Sequence, residues 1–130
     1  MSPYGKPGRK ITAKAVQPLR QIYRVDVILV NAENAAGGSG LTPEIYQELI
    51  SAGVDGITLG DHIYRRREII SILESESNIV KPANFPRDAP GLEWAMLPTL
   101  QGPKVVVISL LGRVFMRPVN CPWEAAERVL

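Results

Sequence analysis

The sequence predicts an α/β protein with a layered, mostly parallel sheet and flanking helices, because short apolar runs alternate with amphipathic segments. Val25–Val30 is β-branched and almost wholly apolar, and Gly56–Leu59 is similar. Both runs have the composition of strands that are buried on both faces. Residues 92–100 and 104–111 are two more strand-like runs, and the intervening Gln101-Gly-Pro103 indicates a hairpin.

In the segments between these strands, apolar residues recur at helical spacing, which predicts helices there. A first helix is predicted from Gly8 to Tyr23, although Pro18 inside it removes a hydrogen bond or forces a kink. Thr42 is suited to cap the next helix, and Gly53 is suited to its C-terminal end.

Two further helices are predicted nearer the C-terminal end of the sequence. One runs from Tyr64 to about Ser75, and the other begins at Pro122 with Trp123, Ala126 and Leu130 on one apolar face. Aromatic residues make up only 6% of the chain. Trp94 and Trp123 are therefore interpreted as packing residues and not as a platform for stacking bases.

Length, charge and cysteine content exclude several classes of protein. A chain of 130 residues corresponds to a single domain, here residues 1–130. Its net charge of +2 gives no reason to expect a stable nucleic-acid complex. The single Cys121 excludes an intrachain disulfide and fits a reducing compartment. No apolar run approaches the ~18–20 residues of a membrane span, and residues 1–5 lack the apolar region expected of a signal peptide. We therefore expect a cytoplasmic protein without a membrane partner.

Both ends of the chain are unusual for an α/β domain. The sequence opens with a helix where a strand is normal, and it ends at Leu130 inside a helix without a stop signal. We therefore expect a truncated domain of marginal stability with uncovered apolar surface. Such surface favours association, and a homo-oligomer is one outcome that it allows.

Metal-competent side chains follow both predicted buried strands. Asn31, Glu33 and Asn34 follow the first strand, and Asp61 and His62 follow the second. Because both strands lead into helices, the two clusters should emerge at the same edge of the sheet. Carboxylates, carboxamide oxygens and an imidazole suit a divalent cation such as Mn²⁺, Fe²⁺ or Zn²⁺.

Each of these residues also has an ordinary structural interpretation. Glu33 could be a solvated loop acid, and Asn31 and Asn34 could be turn residues bonded to their own backbone. Asp61 could cap the following helix, and His62 could be a surface or hydrogen-bonded histidine. The pattern alone leaves both interpretations open.

Three other segments are candidate anion or ligand sites. Arg65–Arg67 is either a solvated first helical turn or a phosphate contact, and it is the main support for a rival RNA-binding interpretation. Residues 4–10 could place backbone amides near an anion or be an unstructured terminus. Gly37, Gly38 and Gly40 allow close backbone approach but match neither a P-loop nor a dinucleotide fingerprint.

Several segments together resemble one known family. Asn31–Gly38 resembles the NGENAAGG segment of the YmdB-like metallophosphoesterases, a branch of the calcineurin-like phosphoesterases. Gly5–Arg9 is similar to their GxPGR segment, and Gly60–His62 stands where they have GNH. Lys81–Pro86 resembles their RPANYP, and Leu110–Met116 is close to their LLGRVFM. These segments occur in the same order as in the family and extend over about residues 5–130. They identify the chain as similar to the N-terminal portion of the family.

The resemblance implies a layered phosphoesterase fold that holds two divalent metal ions, Mn or Fe, and hydrolyses phosphodiesters, cyclic nucleotides among them. Glu33 would bridge the two ions, and Asn34 would help to hold that site. Asp61 would take the place of an asparagine ligand. His62 would be the catalytic residue that protonates the leaving oxygen or stabilises its charge. No other cofactor is implied.

The sequence also departs from the family in three respects. The family's first strand ends in a Gly-Asp pair whose aspartate binds a metal, whereas Met1–Tyr4 carries no acid. The family chain has a second half that supplies histidine ligands, and Asp61 replaces an asparagine. We therefore expect about half of a two-metal site. The alternative is a non-catalytic remnant or subunit that needs another chain to complete the site.

Overall fold

The computed structural model describes residues 1–100 and 102–130, so Gln101 of the predicted hairpin turn lies outside the described residues. The elements follow in the order α1 (Gly5–Tyr23), β1 (Leu29–Asn31), α2 (Pro43–Ser51), β2 (Gly56–Thr58), a 3₁₀ turn (Arg67–Ile69), α3 (Ile70–Ser75), β3 (Ile79–Val80), β4 (Trp94–Leu97), β5 (Val105–Ile108) and α4 (Pro122–Val129).

A parallel sheet with the strand order β1-β2-β3 lies at the centre of the fold. Val30 of β1 is opposite Ile57 of β2, which in turn is opposite Ile79 of β3. The other neighbour of β1 is the main chain of Met1, which donates to Leu29 O at 3.0 Å and accepts from Asn31 N at 2.8 Å. The layered α/β class with a parallel sheet is therefore confirmed.

Helices α1, α2 and α3 pack against one face of this sheet. Val30, Ile57 and Ile79 are buried in one cluster with Val16 of α1 and Leu49 of α2. Fully burying an aliphatic side chain of this size contributes about 1.5–3 kcal/mol, so this cluster is the main source of stability.

The predicted hairpin covers the opposite face. Strands β4 and β5 pair antiparallel, and the alternating Ala95 and Leu97 are buried against Leu29 and Val80 of the parallel sheet. The approach is close at Gly56, where a Cβ atom would lie 2.6 Å from Leu97 Cδ1. The carboxyl edge of the sheet therefore lies between a helical layer and a hairpin layer.

Helix ends agree with the sequence prediction at several positions. Thr42 Oγ1 accepts a hydrogen bond from Ile45 N and so caps α2, while Gly53 follows its end at φ +102°. Pro18 lies inside α1 without ending it. The cost of Pro18 is offset by packing of the same helix against the core through Val16.

Other elements are shorter than predicted. The first strand is Leu29–Asn31 and not Val25–Val30, because the segment before it is held by a side chain: Ile28 N donates to Asp55 Oδ2 at 2.7 Å. The helix expected from Tyr64 begins only at residue 67 as a 3₁₀ turn. Strand β3 was not predicted, because a strand of two residues has too little periodicity to detect.

The predicted apolar face of α4 is not buried. Trp123 is 79% exposed and Leu130 is 89% exposed, whereas Ala125 is buried. The interpretation of Trp123 as a packing residue is therefore wrong. Trp94 and Met96, at 45% and 46% exposed, lie together on the outer face of the hairpin. The uncovered apolar surface expected from the sequence is thus present. Among the described residues, no helix is long and apolar enough to cross a membrane.

Candidate metal centre

The loops after β1 and β2 meet at one edge of the sheet. The two strands are adjacent and parallel, and Ala32 N donates to Thr58 O at 3.0 Å just beyond their ladder. This hydrogen bond extends the pairing of β1 and β2 to the first residue of the loop. As a result, Glu33 lies beside Gly60. Parallel strands bring their C-terminal loops together in this way, and ligands of α/β sheets bind at such edges.

Glu33 is not a solvated loop acid. Its Oε2 atom is buried and has no hydrogen-bond partner among the described residues. A Cβ atom on Gly60 would overlap that oxygen, so only glycine leaves room for the carboxylate. A buried carboxylate oxygen without a donor is costly unless a cation lies beside it. This position therefore suits a metal ion.

Asp61 and His62 complete a group of three ligand-type side chains with Glu33. One ligand atom from each lies within 4.8 Å of the others. Burial raises the pKa of the Glu33 carboxyl, the negative charge of Asp61 raises it further, and His62 partly opposes these effects. Two carboxylates forced together in a partly buried site attract a divalent cation, because the cation removes their mutual repulsion.

Asn34 holds the imidazole of His62. His62 Nδ1 lies 2.8 Å from Asn34 Oδ1, and because an amide oxygen only accepts, Nδ1 carries the hydrogen and donates it. The Asn34 backbone carbonyl accepts from the backbone of both Gly5 and Gly38 at 3.1 Å. The other ring nitrogen, Nε2, lies 3.7 Å from Asp61 Oδ2. The structure therefore places the Asn34 side chain on His62.

Asn31 has the structural role that its residue type suggests. Its Oδ1 accepts from Glu33 N at 3.4 Å, which is the local turn that asparagine commonly forms.

The N-terminal segment supports the loop that carries Glu33. Arg9 of α1 donates to Ala35 O at 2.8 Å and to Glu48 at 3.1 Å. A Cβ atom on Gly38 would lie 2.6 Å from the Tyr4 hydroxyl. The segment expected as an anion site or an unstructured terminus is therefore mostly the start of a helix, and Gly38 makes room for Tyr4.

A cleft of about 610 Å³ adjoins the centre, and Asp61 is one of its lining residues. The sequence interpretation missed this cleft, because its walls come from segments far apart in the chain. The sequence signal was that three of these segments, 60–62, 81–86 and 110–116, resembled the family. The three consecutive arginines at 65–67 are all exposed, and the first of them, Arg65, lines the cleft.

Taken together, these features define a layered α/β domain with a candidate metal centre at the carboxyl edge of its sheet. The chain belongs to the YmdB-like family: the sequence model described as "YmdB-like protein" matches residues 3–130.

Individual relatives agree with this assignment. The chain is 37% identical over 126 residues to the 2′,3′-cyclic-nucleotide 2′-phosphodiesterase of Bacillus subtilis (strain 168), covering 97% of this chain and 47% of that protein. A crystal structure of a hypothetical protein from Thermus thermophilus is 34% identical, with a TM-score of 0.89 over 97% of this chain and 48% of that one.

A crystal structure of a novel phosphatase from Mycoplasma pneumoniae is 27% identical, with a TM-score of 0.87 over 98% of this chain and 47% of that one. The chain thus spans about half the length of these relatives.

Proposed function

We propose that this chain supplies part of the active site of a metal-dependent phosphodiesterase that acts on cyclic nucleotide-type phosphodiesters. The observation that carries the proposal is the buried, unpartnered Oε2 of Glu33 beside Asp61 and His62. The name of the Bacillus subtilis relative supports the class of substrate.

Glu33 and Asp61 are the residues that would hold a divalent ion, with Mn²⁺ or Fe²⁺ suited to such a mixed set of donors. When bound, the ion supplies Lewis-acid stabilisation of the charge on the phosphate. Among the described residues, this is the only group of three or more such side chains. We therefore assign ligands for about one ion to these 130 residues and place the ligands of a second ion outside them.

His62 would act as the proton donor to the leaving oxygen. Asn34 fixes the hydrogen on Nδ1, so the proton that is exchanged during the reaction resides on Nε2. The Asp61 carboxylate oxygen Oδ2 lies 3.7 Å from this nitrogen. This role separates His62 from the metal ligands, because loss of its ring should remove hydrolysis and leave most of the metal affinity.

The second candidate is a non-catalytic remnant or subunit of the same fold. The exposed outer face around Trp94 and Met96 favours it, since such a face is normally covered by another layer or another chain. On this interpretation the centre binds one ion weakly and does not turn over substrate.

A chimera tests the two candidates. We would join residues 1–130 to the second half of the Bacillus subtilis relative, restore a Gly-Asp strand before residue 1, and assay 2′,3′-cyclic AMP with Mn²⁺. The proposal predicts hydrolysis by the chimera, loss of activity in its Glu33→Gln and His62→Ala variants, and no change in Glu74→Gln, an exposed acid on α3. A folded chimera without activity would favour the remnant.

A further inference from the structure

The cleft beside Asp61 has the size of a small-molecule site. Its volume of about 610 Å³ falls inside the range of roughly 300–1,000 Å³ that is usual for ligand pockets. Asp61 belongs both to the candidate metal centre and to the cleft wall, so the two form one continuous surface. A substrate with its reacting phosphate at the centre would extend the remainder of the molecule into this cleft.

One wall of the cleft is a fixed aromatic pair. The rings of Tyr64 and Phe85 lie 6.1 Å apart at an angle of 37°, and the Tyr64 hydroxyl donates to Pro90 O at 2.7 Å. The loop behind this wall is held by the buried Lys81, whose Nζ donates to the carbonyls of Pro86, Arg87 and Ala89. The wall is therefore ordered without a ligand.

Phe115 also lines the cleft and is exposed along its entire side chain, with a relative exposure of 104%. Its φ of +57° is uncommon for a residue with a bulky side chain, and such strain is concentrated at functional sites. An apolar ring held in solvent by a strained backbone is available to stack against a planar ligand.

The cleft is also positively charged. Arg65 and Arg117 line it, and within the described part of the chain neither forms a salt bridge or donates a side-chain hydrogen bond. By contrast, Arg9, Arg20 and Arg128 are all paired with acids. The backbone amide of Arg65 donates to His62 O at 3.0 Å, which joins the backbone at Arg65 to the loop of the centre. Unpaired guanidinium groups beside aromatic rings suit a phosphate attached to a planar base.

We propose that this cleft binds the nucleoside portion of the substrate: a nucleobase stacks on Phe115 against the Tyr64–Phe85 wall. Where the substrate carries a second phosphate beside the reacting one, as a 5′-phosphorylated cyclic nucleotide does, Arg65 and Arg117 bind it. The inference rests on the proposed function, because Asp61 connects the cleft to the centre. Selectivity for nucleotides then resides in this cleft. Stacking tolerates every base, so the preference is for a nucleotide and not for one base.

Adenosine 3′,5′-bisphosphate is a suitable probe, because it offers a base to the aromatic rings of the cleft and carries a second phosphate for Arg65 and Arg117. Binding is measured by isothermal titration calorimetry on the 130-residue chain with EDTA present, so that neither metal nor turnover is needed. We expect Phe115→Ala to weaken binding about ten-fold or more, in line with the loss of one stacking contact. The matched control is Val114→Ala, since Val114 is exposed in the same loop and does not line the cleft.

Arg117→Gln should remove the advantage of adenosine 3′,5′-bisphosphate over adenosine 3′-monophosphate. Arg113→Gln, an exposed arginine of the same loop outside the cleft, should not change it. Circular dichroism confirms that each variant is folded before it is compared.

Three results would overturn the proposal: no binding of the bisphosphate at millimolar concentration, equal affinity for ribose 5-phosphate, or equal effects of Phe115→Ala and Val114→Ala. Failure of the proposed function is seen separately, as a chimera that does not hydrolyse 2′,3′-cyclic AMP. Nucleotide binding with an inactive chimera would therefore keep the cleft assignment and remove only the catalytic one.

Discussion

Under the proposed function, Glu33 is placed for metal binding at the expense of stability. Its Oε2 is buried without a hydrogen-bond donor among the described residues, next to a second carboxylate. A metal ligand tolerates such an environment, whereas a structural residue would gain nothing from it. Stability and binding should therefore respond in opposite directions to a change at this residue.

Glu33→Gln should stabilise the chain when metal is removed by EDTA, because the substitution removes the buried charge and its repulsion with Asp61. We expect the free energy of unfolding to rise by roughly 1 kcal/mol. This is the lower part of the range for an unsatisfied buried group, because Glu33 is only half-buried. Thermal unfolding followed by circular dichroism should show this gain in stability as a rise of about 3–5 °C in Tm. Glu74→Gln on the exposed face of α3 is the control and should leave Tm unchanged. A lower Tm in Glu33→Gln would contradict the account.

The pH dependence of this stabilisation has a definite sign. The pKa of Glu33 is raised above 4.5 by burial and by Asp61, so the fold favours the neutral form of this carboxyl. Its contribution to stability is complete below that ordinary value and is lost as the pH rises through the raised one. The gain from Glu33→Gln should therefore be largest at neutral pH and vanish in acid. An equal gain at both ends of the pH range would argue against a raised pKa.

Asp61→Asn should lower the pKa of Glu33 towards its ordinary value, because the charge of Asp61 is the second largest cause of the shift. The measurement is a titration of the Glu33 side-chain carboxyl by ¹³C NMR in EDTA. Asp88→Asn changes the charge equally at an exposed loop residue and serves as the control. An unchanged titration curve in Asp61→Asn would mean that the two carboxylates do not interact.

At the scale of the elements, Arg20 joins three segments that position the sheet. From α1 it donates to Asp26 O and Gly53 O at 2.9 Å and to Asp55 Oδ2 at 2.5 Å. Asp55 in turn accepts from Ile28 N just before β1. The relative position of α1, β1 and β2 therefore depends on one guanidinium group.

Arg20→Ala should destabilise the chain by roughly 1–3 kcal/mol, because it leaves the Asp55 carboxylate and two carbonyls without their charged donor. Urea unfolding is the measurement, and Lys14→Ala, at an exposed position on α1, is the control. A loss no larger than that of Lys14→Ala would show that the network is not structural.

Periodicity explains which elements could be predicted. The stripe around Val16 predicted α1, and Thr42 predicted the start of α2. The two-residue strand Ile79–Val80 was missed because its pairing with β2, and not its own pattern, makes it a strand. The exposed α4 face was missed because periodicity shows that a face is apolar but not whether anything covers it.

Part of the candidate site could also be predicted from the sequence, and part could not. Glu33, Asp61 and His62 could be placed at one edge from the order of strands and helices alone, since parallel strands leave no other arrangement. The cleft could not be predicted, because Tyr64, Phe85 and Phe115 meet only through tertiary packing. The contact between Asn34 and His62 was likewise invisible, since nothing in the spacing of two residues 28 apart indicates a hydrogen bond.

At the scale of the whole molecule, the outer face of the hairpin is an exposed apolar surface built on two paired strands. Trp94 is opposite Ile108 and Met96 is opposite Val106, so four apolar side chains lie on one face of two strands. The relatives are about twice as long as the stretch that this chain matches. We expect this surface to favour association with another copy in solution.

We expect the 130-residue chain to associate at micromolar concentration. Met96→Glu should shift it towards monomer, because the substitution places a charge in the centre of the face. Sedimentation velocity measures the change, with Lys104→Glu at an exposed position outside the two strands as the control. A wild-type chain that stays monomeric and unfolds cooperatively at high temperature would contradict the expectation of an uncovered face.

Direct measurement of Mn²⁺ binding tests the central claim, the metal centre formed by the loops after β1 and β2. Titration calorimetry of the 130-residue chain with MnCl₂ should show one weak site. Glu33→Gln should remove it, and His62→Ala should retain most of the affinity, because His62 is assigned to proton donation. Equal Mn²⁺ binding by the wild type and Glu33→Gln, or no binding by the wild type, would contradict the account.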